Sequence, residues 1–142
     1  MSRRTALLAL VCSLFLAGIG PAAAQDPRAT SAQIEARKWL ELTDRDDAMA
    51  SWQAAGKQFQ NQMTAARWAT LLKRLRAPLG ASVERAVRST QFTRNFSGAT
   101  PDRDYALLEF RSSFANRTGS GETLTLEREA DGTWRVIGYT IH

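Results

Sequence analysis

Histidine and cysteine carry much of the nucleophilic, acid–base and metal chemistry of proteins, and this chain of 142 residues holds one of each. Cys12 lies in the apolar stretch of a predicted N-terminal signal segment, so we expect the remaining domain to have no thiol for catalysis or for a thiolate metal site. His142 is the last residue, where we expect a frayed terminus rather than a His-based triad or a zinc ligand. We therefore predict no catalytic residue of these kinds, no metal site and no cofactor.

A carboxylate that works with a tyrosine or with a second acid is the remaining route to an enzyme, because the two groups can share acid–base work. The carboxylate candidates are Asp104 and Glu109, and the tyrosine candidates are Tyr105 and Tyr139. Glu109 has a simpler interpretation, since it falls on the polar face of a predicted strand beside Arg111, where the two charges pair in solvent. A non-enzymatic binding or interaction module is therefore our main hypothesis, and a small enzyme is the alternative.

Basic residues are concentrated around the end of a predicted helix. They are Arg67, Lys73, Arg74, Arg76, Arg85 and Arg88. In the simpler interpretation these side chains are solvated, and those of the last turn complement the helix dipole. In the alternative, Lys73, Arg74 and Arg76 contact an anionic envelope component, such as a lipid headgroup, or an acidic partner. Arg76 opens an Arg-Ala-Pro-Leu-Gly sequence, and its partner is expected to be a buried carboxylate or a helix carboxyl end.

Residues 1–24 have the layout of a secretory signal peptide, with two early arginines, an apolar run and small residues ending at Ala24. The run is too short for a comfortable permanent membrane anchor. Cleavage leaves one domain of 118 residues, 25–142, in which 17 basic residues face 14 acidic ones, a net charge of +3. Such a mild excess does not indicate nucleic-acid binding. We expect a periplasmic or secreted bacterial protein with no transmembrane anchor after processing and no disulfide.

Helical spacing of apolar residues predicts three helices in the first half of the domain. The first begins at a capping box from Thr30, and the third spans residues 65–75. The second is capped by Asp46 or Asp47 and runs without a break to Met63. Alternating patterns then predict strands at residues 85–96 and 104–114 and a hairpin over 122–141. The fold class is therefore α+β, with the helices packed on a roughly four-stranded antiparallel sheet.

The final hairpin is predicted to turn at Asp131-Gly132 in a two-residue loop. Counting outward from that loop places Trp134 and Val136 on the sheet face away from the helices. An exposed tryptophan among threonines favours a contact surface, so we predict an interface there with another envelope protein or with a second copy. In the alternative, Trp134 is covered by its own chain, through the strand at residues 85–96 or the loop after it.

Several short motifs occur in a recognisable order. They are Trp39-Leu40, Ala50-Ser-Trp52, Trp68, Arg76-Ala-Pro-Leu-Gly80, Ser113-Phe114, Glu122-Thr and Asp131-Gly-x-Trp-Arg-Val-x-Gly-Tyr139. Their combination resembles the bacterial domain-of-unknown-function 4019 (DUF4019) family from about residue 39 to residue 141. The resemblance implies an exported single domain, with a cone-shaped fold similar to the nuclear-transport-factor-2 group, and it implies no catalytic residue. The loop before Tyr105 departs from the family's usual Pro-Gly-x-Pro-Asp-Gly sequence, so no role of that loop carries over.

Overall fold

The computed structural model describes residues 26–142, so the predicted signal peptide and its cleavage site lie outside the described residues. The helices are α1 (Pro27–Asp44), α2 (Ala48–Ala54), α3 (Lys57–Gln62) and α4 (Ala65–Arg76), and the strands are β1 (Ser82–Thr93), β2 (Tyr105–Phe114), β3 (Arg117–Arg128) and β4 (Trp134–Ile141). The strands form an antiparallel sheet in the order β1-β2-β3-β4, and the helices cover one face. The α+β class is confirmed. Across this part of the chain, no helix has both the length and the apolar character needed to cross a bilayer.

Two helix boundaries differ from the prediction. Helix α1 begins earlier, because the Asp26 carboxylate accepts a hydrogen bond from the Arg28 backbone N–H at 2.9 Å and Pro27 suits the first helical position. The predicted second helix is two short helices, since Ala55 and Gly56 are extended. The Gly56 N–H donates to the carbonyl of Val136 at 2.8 Å, so this break ties the helical layer to the edge strand β4.

The final hairpin has the predicted register only near its open end, where Glu122 pairs with Ile141 and Leu124 with Tyr139. A bulge then shifts the pairing, and Leu126 lies opposite Val136 rather than opposite Ile137. The loop also differs from the prediction. It has three residues, 130–132, closed by bonds from Glu129 N–H to the Thr133 carbonyl and from Gly132 N–H to the Glu129 carbonyl, both 2.9 Å, and within it only Gly132 has a positive φ, at 83°.

The bulge moves Trp134 and Val136 to the helix-covered face, where they are 3% and 2% exposed. The predicted exposed interface at these two residues is therefore wrong, because one inserted residue reverses the alternation of side chains. The alternative prediction is confirmed, since the Trp134 ring lies 5.7 Å from the ring of Phe92 on β1. Two strands separate these residues in the sheet, and their side chains meet across its helix-covered face.

An aromatic cluster fills the space between helices and sheet. Trp39 lies 5.7 Å from Trp68 and 5.2 Å from Tyr139, and Phe59 packs edge-on to Trp68 at 5.1 Å. Ser51 accepts from both buried indoles, through its carbonyl from Trp39 at 2.8 Å and through its hydroxyl from Trp68 at 2.9 Å. Burial of these large rings is therefore not opposed by unpaired N–H groups. The cone shape suggested by the family resemblance stays a prediction.

Candidate functional site

A network of charged side chains lies buried between the helices and the sheet. Asp44 ends α1, Arg76 ends α4, Arg85 comes from β1 and Glu122 from β3. The four side chains are 22%, 7%, 11% and 0% exposed, in that order. We call these residues, together with the hydroxyls of Ser112 and Tyr139, the inner network.

Glu122 is the centre of the inner network. Its Oε2 accepts hydrogen bonds from Arg85 Nε at 2.6 Å and from Ser112 Oγ at 2.5 Å. Its Oε1 accepts from the Tyr139 hydroxyl at 2.6 Å, from Arg85 Nη2 at 3.1 Å and, more weakly, from Arg76 Nη1 at 3.4 Å. A carboxylate with no exposed surface therefore has five donors for its lone pairs, which satisfies the requirement that a buried charge be paired.

Arg85 connects the two carboxylates of the inner network. It makes a second two-point contact with Asp44, through Nη1 at 2.8 Å and Nη2 at 3.0 Å, while Arg76 Nη2 reaches Asp44 Oδ1 at 2.5 Å. Planar guanidinium groups suit this geometry, because each presents its donors in a fixed fork. With two cations and two anions, the network is electrically neutral and joins α1, α4, β1 and β3.

The protonation states of Arg85 and Tyr139 follow from their surroundings. Burial lowers the pKa of Arg85, but hydrogen bonds to Asp44 and Glu122 and the charges of both carboxylates raise it by more, so the net shift is upward. Burial raises the pKa of Tyr139, and the charge of Glu122 and the hydrogen bond to it raise it further. The guanidinium therefore stays charged and the phenol stays protonated across the physiological pH range.

Tyr139 and Glu122 are a carboxylate–tyrosine pair of the kind that the enzyme hypothesis required, but two features oppose catalysis. A phenol whose pKa is raised is a poor proton donor near neutral pH. The Tyr139 ring also packs against Trp39 and Trp68, so the space beside it is occupied. A groove of about 270 Å³ at the edge of the network is lined by Asp44 and Arg76 and not by Tyr139 or Glu122. The arrangement of the inner network therefore fits a role in holding the helices and strands together.

The other predicted acid–base candidates lie apart from Tyr139. Asp104 accepts from Arg94 Nε at 2.7 Å near the surface, and this hydrogen bond is the main cause that lowers the pKa of its carboxyl. The Tyr105 hydroxyl accepts from the backbone N–H of Thr100 at 2.7 Å. Glu109 lies on β2 with its side chain away from the helices. The structure does not bring a predicted carboxylate to either tyrosine.

The predicted anion-contact residues separate into two environments. Arg76 is buried and paired, as the buried-carboxylate expectation for it required. Lys73 and Arg74 are exposed in the last turn of α4. Lys73 lines the same groove as Arg76, whereas Arg74 lines a different cleft with Arg67. An anion contact at Lys73 and Arg74 stays a prediction.

Sequence reasoning missed Glu122, although a signal was present. The predicted register placed it opposite Ile141 on the helix-covered face, where every other pair was apolar. A charged residue at an inward position needs an opposite charge or several hydrogen-bond donors. That conflict between pattern and charge predicts a buried ion pair, but not the identity of the distant partners Asp44 and Arg85.

Comparison with known proteins supports the family resemblance and gives no activity. Neither the curated proteins nor the solved structures contain a significant match to the chain. The family described as "Protein of unknown function (DUF4019)" matches residues 35–139, a segment that starts in α1, ends at Tyr139 and includes every residue of the inner network. Because this match covers most of the 142 residues, the chain belongs to the DUF4019 family.

Proposed function

We propose that this chain is an exported, non-enzymatic interaction module that docks onto an anionic component of the cell envelope. The docking surface is the basic face of α4, defined by Arg67, Lys73 and Arg74. The observation that carries this proposal is that these three cations are exposed and form no ion pair within residues 26–142. The arginines of the inner network are not available for such docking, because they are already paired with carboxylates.

Apolar side chains accompany the charges on this helix. Met63, just before α4, and Leu71, within it, line the same cleft as Arg67 and Arg74. A surface that combines cations with apolar groups suits an anionic headgroup region, where charges attract and apolar side chains are buried. Each cation near an anionic surface contributes about 1 kcal/mol, so three contribute about 3 kcal/mol, which is enough for weak, salt-sensitive docking.

Export is the second part of the proposal. It rests on residues 1–24, whose early arginines, apolar run and terminal small residues have the layout of a signal peptide. Mass spectrometry of a periplasmic extract tests it: we expect the mature protein to begin at Gln25. A cytoplasmic protein that retains residues 1–24 would contradict export, whatever the docking surface binds.

Docking is tested by sedimentation with vesicles of phosphatidylglycerol and phosphatidylcholine, compared with phosphatidylcholine alone. We expect the domain to sediment with the anionic vesicles at low salt and to be released as salt rises. The variant R67Q/K73Q/R74Q should lose most of this binding. The matched control K57Q/R117Q/R128Q removes the same charge from exposed positions elsewhere and should retain it. Equal loss in the two variants would show that net charge, and not the basic face, is responsible.

A further inference from the structure

A polar cleft of about 450 Å³ lies on the sheet face that the helices leave uncovered. Its lining includes side chains from β1 and β2 and the residue that follows β4. We call it the outer notch and define it by Arg88, Glu109, Arg111, Gly121 and His142. None of these residues belongs to the inner network or to the basic face of α4.

The sheet register places three of these residues in one row. Arg111 lies opposite Gly121, and Gly121 exchanges both backbone hydrogen bonds with His142, at 2.7 and 2.9 Å. Directly opposed residues on antiparallel strands point to the same face. Their neighbours Phe110 and Glu122 are buried against the helices, so the row faces outward. Gly121 therefore leaves a gap between the side chains of Arg111 and His142.

The imidazole of His142 lies over this gap. A Cβ built at Gly121 would come within 2.8 Å of His142 Cδ2 and closer still to Nε2, so the ring occupies the space of the missing side chain. Backbone bonds in both directions hold the residue to β3. The expectation of a frayed terminus at His142 is therefore wrong, and its imidazole lines the notch.

The charged side chains of the outer notch have no ion-pair partner among the described residues. Arg88, Glu109 and Arg111 form no ion pair within residues 26–142, so the predicted solvated pair of Glu109 with Arg111 is not formed. Ser89 lies beside Arg88 and opposite Glu109, and its buried hydroxyl has no hydrogen-bond partner among the described residues. The guanidinium groups of Arg88 and Arg111 therefore keep N–H donors available to a ligand.

We propose that the outer notch binds a small oxyanion, a carboxylate or a phosphate monoester. Arg88 and Arg111 hold the anion, because guanidinium groups match both geometries with paired N–H donors. His142 supplies a further N–H from the floor of the notch. Glu109 limits the charge of the ligand, since its carboxylate repels a polyanion more strongly than a singly charged group.

The test is a titration of the ¹⁵N-labelled domain with inorganic phosphate and, separately, with acetate, at constant ionic strength. We expect saturable shifts at the amides of Gly121 and His142. The variant R88Q/R111Q should bind at least about tenfold more weakly, because hydrogen bonds to charged groups are lost. The control K57Q/R128Q, which removes two exposed cations elsewhere, should bind as the wild type does. Shifts that do not saturate, or that are equal in both variants, would overturn the proposal.

Two further measurements define the part of His142 and the source of the ligand. Gly121→Ala displaces the imidazole and His142→Ala removes it, so we expect both variants to bind phosphate more weakly while their spectra stay dispersed. Wild-type affinity in both variants would overturn the contribution of His142. Binding to phosphatidylglycerol vesicles without any saturable binding of free phosphate or acetate would overturn the assignment of a small oxyanion.

Discussion

Arg85 and Arg111 lie on the neighbouring strands β1 and β2, yet they face opposite sides of one sheet. Arg85 points toward the helices and makes two-point contacts with both Asp44 and Glu122. Arg111 points outward, is exposed and forms no ion pair among the described residues. One residue type thus has two roles, which are set by the face of the sheet on which it lies.

The comparison shows how the domain divides its charges. Inside, desolvation makes an unpaired charge costly, so each cation is matched by carboxylates and is unavailable to a ligand. Outside, water compensates the charge, so a cation without a partner costs little and is free to bind. Stability should therefore respond strongly to changes in the inner network and weakly to changes in the outer notch, while anion binding should respond in the opposite way.

The largest effect is expected for Glu122→Gln. Removing this charge leaves the buried cations Arg85 and Arg76 partly uncompensated, so the free energy of unfolding should fall by about 3–5 kcal/mol. Urea denaturation followed by circular dichroism measures it. Glu109→Gln makes the same chemical change on the outer face and should stay within about 0.5 kcal/mol of the wild type. Similar losses in both variants would remove the distinction between the two faces.

Tyr139→Phe should have the next largest effect. It deletes the hydroxyl that donates to Glu122 at 2.6 Å and keeps the ring that packs on Trp39. Because the acceptor is a buried carboxylate, we expect a loss of about 1.5–3 kcal/mol of unfolding free energy. The double variant with Glu122→Gln should lose less than the sum of the two single losses, since both changes remove the same contact. Additive losses would show that the two residues are not coupled.

Gly56→Ala tests the junction between the helical layer and β4. A Cβ at this position would lie 2.9 Å from Ile137 Cγ2, so we expect overpacking of about 1–3 kcal/mol in chemical denaturation. Gly138→Ala, on β4 itself, is the matched control, because its Cβ would meet Thr125 Cβ at an ordinary 3.5 Å. Equal free energies of unfolding for the two variants would contradict this, because they would show that the junction adjusts to the added Cβ without loss of stability.

A pH dependence completes the comparison. The pKa of Tyr139 is raised in the folded state, so above the unfolded value of about 10 the unfolded chain binds fewer protons than the native one. Stability is then fully present below that pH and falls by up to about 1.4 kcal/mol per pH unit above it. Denaturation of the wild type and of Tyr139→Phe between neutral and alkaline pH measures the difference. Parallel curves would contradict the buried tyrosine–carboxylate bond.

The sequence predicted those parts of the fold that repeat with a regular period. Alternation in β2 and helical spacing in α4 gave their ends to within a residue or two, because burial on one face imposes those periods. The bulge after Thr125 has no periodic signal, since apolar pairs form on the helix-covered face in either register. Trp134 was therefore placed on the wrong face. The break at Gly56 depends on contact with Val136, which is 80 positions away in sequence and is not expressed in local propensity.

The candidate sites divide in the same way. The sequence shows that a charged residue, Glu122, falls at an inward position where the pattern calls for an apolar one. The partners of that charge come from α1, α4 and β1, so they can be identified only from the tertiary structure. The outer notch was not predicted either, because the predicted hairpin began only at Glu122 and His142 was expected to be a frayed end. Its geometry follows from the extension of β3 back to Arg117 and from the backbone pairing of His142 with Gly121.

The position of Glu122 along the chain has a consequence for the order of folding events. Asp44, Arg76 and Arg85 all precede it, and the second carboxylate of the inner network comes from the third of four strands. Contacts between residues so far apart form late, because long loops must close first. When the chain is made from its amino end, the guanidinium groups of Arg76 and Arg85 therefore stay hydrated, with Asp44 as their one carboxylate, until β3 is present. We expect the helical half alone to stay loosely packed, so that compaction begins only when nearly the whole domain is present.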